Sequence, residues 1–450
     1  MVSSPSSTRS PCIGSSLPQE LVDIIVEDIG SDDRPSLKAC SLISRSFCAP
    51  AQKLLFQSFR LLPSLYRSLS LATLDELQAR SPHISNHVRR LTIHCTSSRL
   101  GEGAPWMAEE QLSRVLPRFK HLTTLIVDSR PGIGGNEDWI RLRFPLSWWL
   151  LSSPTQTALS RAIAQPQLTS LTIRGVTFWS GLDLWTAVCL PGVARTQLQH
   201  LSLSEVDVQE LWSGLGTEYL SPNKLRLQSL ALKSDHARFM RLVPGIVDIS
   251  VLQHIKLHIQ NMSCEKMVQA AFLRDMRCLE RLTIVLDDSL YSNSCELVIS
   301  DLAVLRTLDI HFQLSYHPSR WIFSVVSQAS LTHPGCTSPL TQLILEISVT
   351  LADIQYPEDT GSLVSTLRYL VPPLRLGADT GFTPLLTIRV APDNVHFTFE
   401  EISSVKADVL EVVGNLGLHT EVEVVDYWNV QGMAPIREPR EGGESQPGGC

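Results

Sequence analysis

The chain has 450 residues, of which 43% are hydrophobic and 18% charged, and its formal net charge at pH 7 is −7. This balance is that of a folded globular protein, because disordered chains contain fewer apolar and more charged residues. The net negative charge gives no electrostatic reason to bind nucleic acid or an anionic membrane surface. No apolar run reaches about 18 residues, so we expect no membrane-spanning helix.

The ten cysteines include no Cys-x-x-Cys pair and no pairing with histidines at zinc-site spacing. A chain of this length can bury a core without disulfide bonds. We therefore expect reduced cysteines and a cytoplasmic or nuclear location. Residues 1–16 are rich in Ser and Pro and lack the apolar segment of a signal peptide, and we expect them to be disordered.

Residues 17–62 are predicted to form a module of three short helices. Apolar residues recur at Leu21, Ile24, Ile25 and Ile29 on one face of the first helix. Residues 30–33 are predicted to stop this helix and cap a second, whose apolar face runs from Leu37 to Phe47. Pro50 is predicted to break the second helix, and residues 51–56 to form the third. Such a module buries little apolar surface alone, so we expect its core to be completed by a partner or by the adjoining repeat.

The same segment resembles the F-box. It opens with Leu17-Pro18-x-Glu20-Leu21, and the stretch from Ser36 to Phe47 resembles the second part of the motif, with Phe47 where the family usually has Trp. The resemblance implies docking to a Skp-type adaptor of a cullin–RING ubiquitin ligase. The contact residues that it implies are Leu17, Pro18, Leu21, Ile25, Leu42, Ile43 and Phe47. The alternative is a helical cap that only covers the first repeat.

Residues 63–350 carry a repeated Leu-x-x-Leu-x-Leu pattern, spaced from 25 residues (Leu227 to Leu252) to 46 residues (Leu122 to Leu168). Alternating apolar and polar positions predict a short strand in each copy. Three buried anchors contribute roughly 5–9 kcal/mol, whereas ordering one copy costs on the order of 25–50 kcal/mol. The copies must therefore stack around a shared core. Their first anchors are Val88, Leu122, Leu168, Leu198, Leu227, Leu252, Leu279, Leu305 and Leu340.

The copies resemble leucine-rich repeats, but they lack the Asn or Cys that the family usually has at the ninth position. The two resemblances together imply an α/β fold. In it, an N-terminal three-helix F-box is followed by an irregular leucine-rich-repeat solenoid, a horseshoe with a parallel β-sheet. An F-box before degenerate repeats is similar to the large F-box families of filamentous and mushroom-forming fungi.

The last part of the chain has a weaker pattern. We expect residues 351–431 to form further repeats or a capping unit, with strands at 395–399 and 421–425 and a helix at 405–413. Residues 432–450 are rich in Gly, Pro and charge, and we expect them to be disordered.

The strand residues between the leucine anchors should point to the opposite face, which lines the concave side of a horseshoe. This face would be mildly basic on an acidic chain. One hypothesis is a target-binding surface that prefers acidic or phosphorylated segments, and the other is a solvated face without a partner. The candidate target-binding residues are Arg90, Arg174, His200, Lys233, His254, Lys256, His258, Arg281 and His311.

No catalytic or cofactor-binding motif is recognisable in the sequence. The glycine-rich run at 131–135 lacks the spacing of a nucleotide-binding fingerprint, and no serine-nucleophile elbow or His-Glu-x-x-His motif occurs. On a strand His254 and His258 would be about 13 Å apart, too far to share one zinc ion. We therefore expect no enzymatic activity, no metal and no cofactor.

These observations predict a substrate-recruiting adaptor subunit of a Skp–cullin–F-box ubiquitin ligase. The helical module would bind the Skp-type adaptor, and the repeats would bind an unknown protein target. The alternative is a leucine-rich-repeat interaction scaffold whose N-terminal helices only cap the array.

Overall fold

In the computed structural model the protein is mixed α/β, with a large parallel sheet and several helices. The chain divides into two compact units. Unit 1 comprises Met1–Leu171 and Thr186–Gln197, and unit 2 comprises Thr172–Trp185 and Leu198–Cys450. The structure describes residues 17–61, 71–94, 110–129, 146–188, 197–210, 224–234, 237–259, 273–286, 302, 304–313, 341–349, 383–390, 407 and 423–426.

Unit 1 begins with three helices, as predicted: α1 (Gln19–Ile29), α2 (Arg34–Ile43) and α3 (Arg45–Leu55). Gly30 ends α1 with φ at +73°, a conformation that glycine adopts without strain. The Asp33 side chain caps α2 by accepting a hydrogen bond from the Ser36 N–H at 3.1 Å. Both features match the stop and cap signals predicted for residues 30–33.

The predicted break at Pro50 is wrong. The second helix ends before Ser44, which is extended, and both Phe47 and Pro50 belong to α3. Pro50 is the sixth of the eleven residues of α3 and lies inside the helix, where it removes one main-chain donor. That donor would have bonded the Ser46 carbonyl, which instead accepts from the Gln19 side-chain amide at 3.3 Å.

The three helices share a small core of their own. The partly buried side chains of Ile29, Phe47, Leu54 and Leu55 pack against this core. Its small size agrees with the expectation that three short helices bury little apolar surface. The fully buried members are Val22, Val26, Leu37, Cys40 and Ala51.

A strand that the sequence analysis did not predict follows the helices. β1 (Ser58–Leu61) pairs in parallel with β2 (Arg90–His94), which pairs with β3 (Thr124–Asp128). Phe59 and Leu61 are buried and alternate with exposed residues, a two-residue period that a strand of four residues barely reveals. The remaining elements of unit 1 are α4 (Leu71–Arg80), α5 (Pro82–Ser85), α6 (Glu110–Val115), β4 (Leu146–Ser147) and α7 (Ser153–Ile163).

Unit 2 contains the larger parallel sheet. The division between the units falls within β5 (Ser170–Arg174) and α8 (Gly181–Val188), and β6 (Val176–Ser180) pairs in parallel with β8 (Asp207–Glu210). The main sheet has the order β7-β9-β10-β11-β12-β13-β14-β15, and every pair is parallel. Its strands are β7 (His200–Ser204), β9 (Ser229–Ser234), β10 (His254–Ile259), β11 (Arg281–Leu286), β12 (Thr307–Gln313), β13 (Gln342–Val349), β14 (Thr383–Val390) and β15 (Glu423–Asp426); α9 (Ala237–Ile246) follows β9.

The strands predicted from the repeat pattern are confirmed, and their anchors are aligned. Leu282 on β11 pairs with Ile255 on β10 and with Leu308 on β12. All anchors within the described residues are buried, whereas Leu340 lies outside them. The predicted strand at 395–399 and nearly all of the predicted helix at 405–413 also lie outside the described residues, and β15 overlaps the strand predicted at 421–425.

Main-chain bonds repeat from one copy to the next. The carbonyl before each strand accepts two consecutive N–H groups from the next copy, as the Gln253 carbonyl does from Glu280 at 2.8 Å and Arg281 at 3.0 Å. This contact satisfies buried main-chain groups without the ninth-position ladder that the sequence lacks. In unit 2 the acceptors are Gln199, Gln228, Gln253, Glu280 and Arg306, and in unit 1 they are Gln57, Arg89 and Thr123.

Candidate functional site

The first candidate site is a set of exposed apolar side chains on α1, on α2 and just before α1, which we call the apolar helical face. Leu42 is 85% exposed and Leu17 is 50% exposed, and the other members are also exposed. Exposed apolar groups in such a set are typical of a protein-interaction surface. The members are Leu17, Leu21, Ile24, Ile25, Leu42 and Ile43, and the neighbouring Pro18 is exposed as well.

Helical spacing explains why α1 has apolar residues on two sides. Val22 and Val26 are one turn apart and enter the helical core. Leu21 and Ile25, also one turn apart, precede each of them by one residue and therefore lie about 100° away around the helix. One side of α1 therefore holds the module together, while the other remains available.

Phe47 differs from the other residues of the predicted adaptor contact. Its ring is half-buried and packs against the helical core instead of standing on the apolar helical face. Six of the seven predicted contact residues are thus exposed, and the seventh is largely committed to packing. Ile24, exposed but absent from the predicted set, was missed although its helical spacing from Leu21 could have revealed it.

The second candidate site is the polar face of the main sheet in unit 2, which we call the polar strand face. It carries the residues that alternate with the buried leucine anchors. His200, Ser229, His254 and Arg281 occupy one row across four neighbouring strands, because the register pairs them in that order. Lys256 lies two residues further along β10, and its side chain is exposed.

Basic and acidic groups occupy different strands of this face. The basic candidates His200, Lys233, His254, Lys256, His258 and Arg281 lie on β7, β9, β10 and β11. The acidic residues Asp309 and Glu346 lie on β12 and β13 and are buried. Lys233 approaches Glu205 at 3.7 Å, so its charge is partly balanced within unit 2. The exposed basic side chains of this face are those of His200, His254, Lys256 and Arg281.

A charge cluster lies where the basic strands meet the acidic ones. The His311 ring is held between two carboxylates, with Nε2 2.9 Å from Asp309 Oδ1 and Nδ1 2.7 Å from Glu346 Oε2. Arg281 Nη2 donates to Asp309 Oδ2 at 3.2 Å, and the Thr283 hydroxyl lies 3.4 Å from the same oxygen. Arg281 and His311 are therefore engaged by neighbours within the sheet.

The cluster shifts the pKa values of its members. Burial lowers the pKa of His311, but the adjacent carboxylates of Asp309 and Glu346 outweigh this effect and raise it to about 9. Burial raises the pKa of Asp309, but His311 and Arg281 together bring it below its usual value. His311 is thus a permanent cation near neutral pH. The sequence analysis selected His311 and Arg281 without their carboxylate partners, because the pairing depends on strand register.

The other two target-binding candidates lie elsewhere. Arg90 is exposed on β2 in unit 1, and Arg174 on β5 is half-buried and has an interaction partner. The structure therefore groups seven of the nine candidates on the polar strand face of unit 2. His254 and His258 are on the same strand, and no group of three or more potential metal ligands occurs within the described residues.

Comparison with known proteins adds no relative. Neither a scan against protein-family models nor a search of the curated proteins found a match. Among the helices of the described part of the chain, none is both long and apolar enough to cross a membrane.

Proposed function

We propose that this chain is the substrate-recruiting adaptor subunit of a Skp–cullin–F-box ubiquitin ligase, acting in the cytosol or nucleus. The exposure of the apolar helical face carries this proposal. A module that has its own small core and still exposes six Leu and Ile side chains is suited to burying them against a partner. The adaptor would bring a target close to the ligase and would need no catalytic residue of its own.

The same observation favours docking over simple capping. Helices that only capped the array would bury Leu17, Pro18 and Leu42 against the first repeat, whose first anchor is Val88. All three are exposed, while the helical core is made of residues from α1, α2 and α3. Burying a Leu or Ile side chain completely contributes about 1.5–3 kcal/mol. A partner that covers this face would therefore gain a large free energy of binding.

Co-purification with a Skp-type adaptor tests the proposal. We expect the wild-type chain to bind stoichiometrically and Leu17→Ala/Pro18→Ala to lose binding while the repeats remain folded. Leu42→Ala should also weaken binding, because this side chain is the most exposed of the set. Leu150→Ala is a matched control, because Leu150 is also exposed but lies outside the helical module. A folded wild-type chain that does not bind would contradict the proposal.

We further propose that the polar strand face binds the target through an acidic or phosphorylated segment. Three exposed basic residues, His200, His254 and Lys256, support this role, because the paired strands bring them close together on a chain that is acidic overall. Arg281 and His311 are already paired with the buried carboxylates of Asp309 and Glu346, so the ligand should lie over β7, β9 and β10.

A fluorescent polyglutamate peptide is a simple probe of this face. We expect Lys256→Glu to weaken binding about tenfold, which corresponds to about 1.4 kcal/mol, and added salt to weaken wild-type binding. Lys120→Glu makes the same charge change at an exposed site in unit 1 and should leave binding unchanged. Equal losses in both variants would show that only the net charge matters and would exclude a specific site.

A further inference from the structure

A cavity of about 870 Å³ lies in unit 1, between the helical module and the first strands. Its walls come from the start of α2, the end of α3 and the beginnings of β1, β2 and β3. Its volume is within the range of small-molecule sites, about 300–1,000 Å³. No residue of the apolar helical face lines it.

The cavity is strongly basic. It is lined by four arginines, Arg34, Arg60, Arg89 and Arg90, against one carboxylate, that of Asp32. Arginine remains charged at every physiological pH, so the lining carries a net charge of +3 (four minus one) on a chain whose net charge is −7. Such a local reversal of sign favours an anionic ligand.

Two of these arginines are held in place by main-chain carbonyls. Arg34 Nη2 donates to the Leu55 carbonyl at 3.1 Å, and Arg89 Nη1 donates to the His121 carbonyl at 3.1 Å. A guanidinium has five N–H donors, so each retains donors for a ligand. Positioning a side chain before binding reduces the entropy that the ligand must offset.

The other two arginines are exposed on neighbouring strands. Arg60 pairs with Thr92 and Arg90 pairs with Ser58, so the two arginines are diagonal neighbours on β1 and β2. Strand spacing and rise put their Cα atoms about 8 Å apart. Within the described residues neither has an ion-pair partner. Two long arginine side chains whose Cα atoms are this far apart can each bind a different anionic group of one ligand.

We propose that this cavity binds a small ligand that carries at least two phosphate groups. The planar donor fork of arginine binds phosphate oxygens through paired hydrogen bonds. The hydroxyl of Ser58 lies between the arginine-bearing positions and lines the same cavity. This site goes beyond the adaptor function and does not depend on it.

Isothermal titration calorimetry of the full chain with inorganic tripolyphosphate at constant ionic strength tests the proposal. We expect the tightest site of the wild type to lose at least tenfold in affinity in Arg60→Gln/Arg90→Gln. Both arginines are exposed, so circular dichroism should show a folded variant. Each single variant should lie between the wild type and the double variant.

The matched control is Arg114→Gln/Lys120→Gln, which removes two exposed basic groups of unit 1 that do not line the cavity. It should bind tripolyphosphate with wild-type affinity. Unchanged binding by Arg60→Gln/Arg90→Gln would overturn the proposal, and so would sulfate binding as tightly as tripolyphosphate at equal ionic strength.

Discussion

The Gln19 side-chain amide donates to the Ser46 main-chain carbonyl at 3.3 Å, which joins the start of α1 to the first turn of α3. Ser46 lies four residues before Pro50, whose ring nitrogen has no hydrogen to offer. The side chain of one helix thus provides the donor that proline removes from another. Gln19 also donates to Asp23 within α1 at 2.8 Å, which orients its amide.

This relationship predicts that the effects of Gln19 and Pro50 are coupled. Gln19→Ala should speed hydrogen exchange in α1 and α3 about two- to fivefold, as expected for losing one exposed hydrogen bond worth about 0.5–1 kcal/mol. In a Pro50→Ala background the helical N–H returns to Ser46, and Gln19→Ala should then have almost no effect. Hydrogen–deuterium exchange with mass spectrometry measures the effect of Gln19→Ala in the wild-type and in the Pro50→Ala background. Equal effects in both backgrounds would mean that the Ser46 contact contributes nothing.

Leu37 and Leu42 form a matched pair on α2. Leu37 is 0% exposed within the helical core, and Leu37→Ala should destabilise the module by about 2–4 kcal/mol, through lost burial and the cavity that remains. Leu42→Ala should change its stability by less than about 0.5 kcal/mol, because the side chain is already in solvent. Limited proteolysis followed across residues 17–61 measures the difference. If the protease cleaved both variants equally slowly, the result would contradict the burial of Leu37 and the exposure of Leu42.

The His311 cluster predicts how stability depends on pH. The folded state holds the His311 proton more tightly than the unfolded chain does, because its pKa is raised to about 9. Its contribution is therefore complete below about pH 6.5 and is lost as the pH rises through about 9. Asp309 has a lowered pKa, so its contribution is present above its ordinary pKa of 3.8 and is lost as the pH falls.

Thermal unfolding of the wild type and of His311→Gln between pH 5 and pH 10 measures this dependence. The variant should be less stable by about 3 kcal/mol at pH 6, since it removes the cation between two buried carboxylates, although Asp309 keeps its contact with Arg281. The difference in stability between the wild type and the variant should become smaller above pH 9. His254→Gln, which removes an exposed histidine from β10, is the matched control and should cost much less stability at pH 6. If the difference in stability between the wild type and His311→Gln does not vary with pH, His311 is neutral in the folded protein.

The aligned anchors predict that damage to one copy spreads to its neighbours. Leu282→Ala should destabilise the sheet by about 3 kcal/mol, because Leu282 is fully buried between Ile255 and Leu308. Repeat units are stabilised by contacts with their nearest neighbours. Exchange should therefore increase in β10 and β12 as well as in β11, and much less in β2 of unit 1. An increase confined to β11 would contradict this shared core.

Much of the fold follows from local sequence patterns. The Leu-x-x-Leu-x-Leu copies predicted β2, β3, β5, β7 and β9 to β13, because an apolar residue at every second position favours a strand when one face is buried. Gly30 and Asp33 predicted the end of α1 and the start of α2 through main-chain conformation and a single hydrogen bond. Pro50 misled the prediction because a local rule for proline does not include a distant donor such as Gln19.

The candidate sites depended more strongly on tertiary structure. The spacing of Asp309 and Glu346 along the chain does not predict that both contact His311. The pairing of β12 with β13 brings them together. Likewise, Arg34, Arg60, Arg89 and Arg90 come from three elements and meet only around one cavity.

By itself, the sequence determined the periodicity of this protein: which residues are apolar, how often they recur, and therefore which segments become helices and strands. Tertiary structure alone decided which apolar residues remain outside, as Leu42 does while Leu37 is buried, and which charges meet. The physical reason is the distance along the chain over which each kind of interaction acts. Helix and strand periods are set by hydrogen bonds and packing between near neighbours, whereas burial and electrostatic pairing depend on residues far apart in the chain.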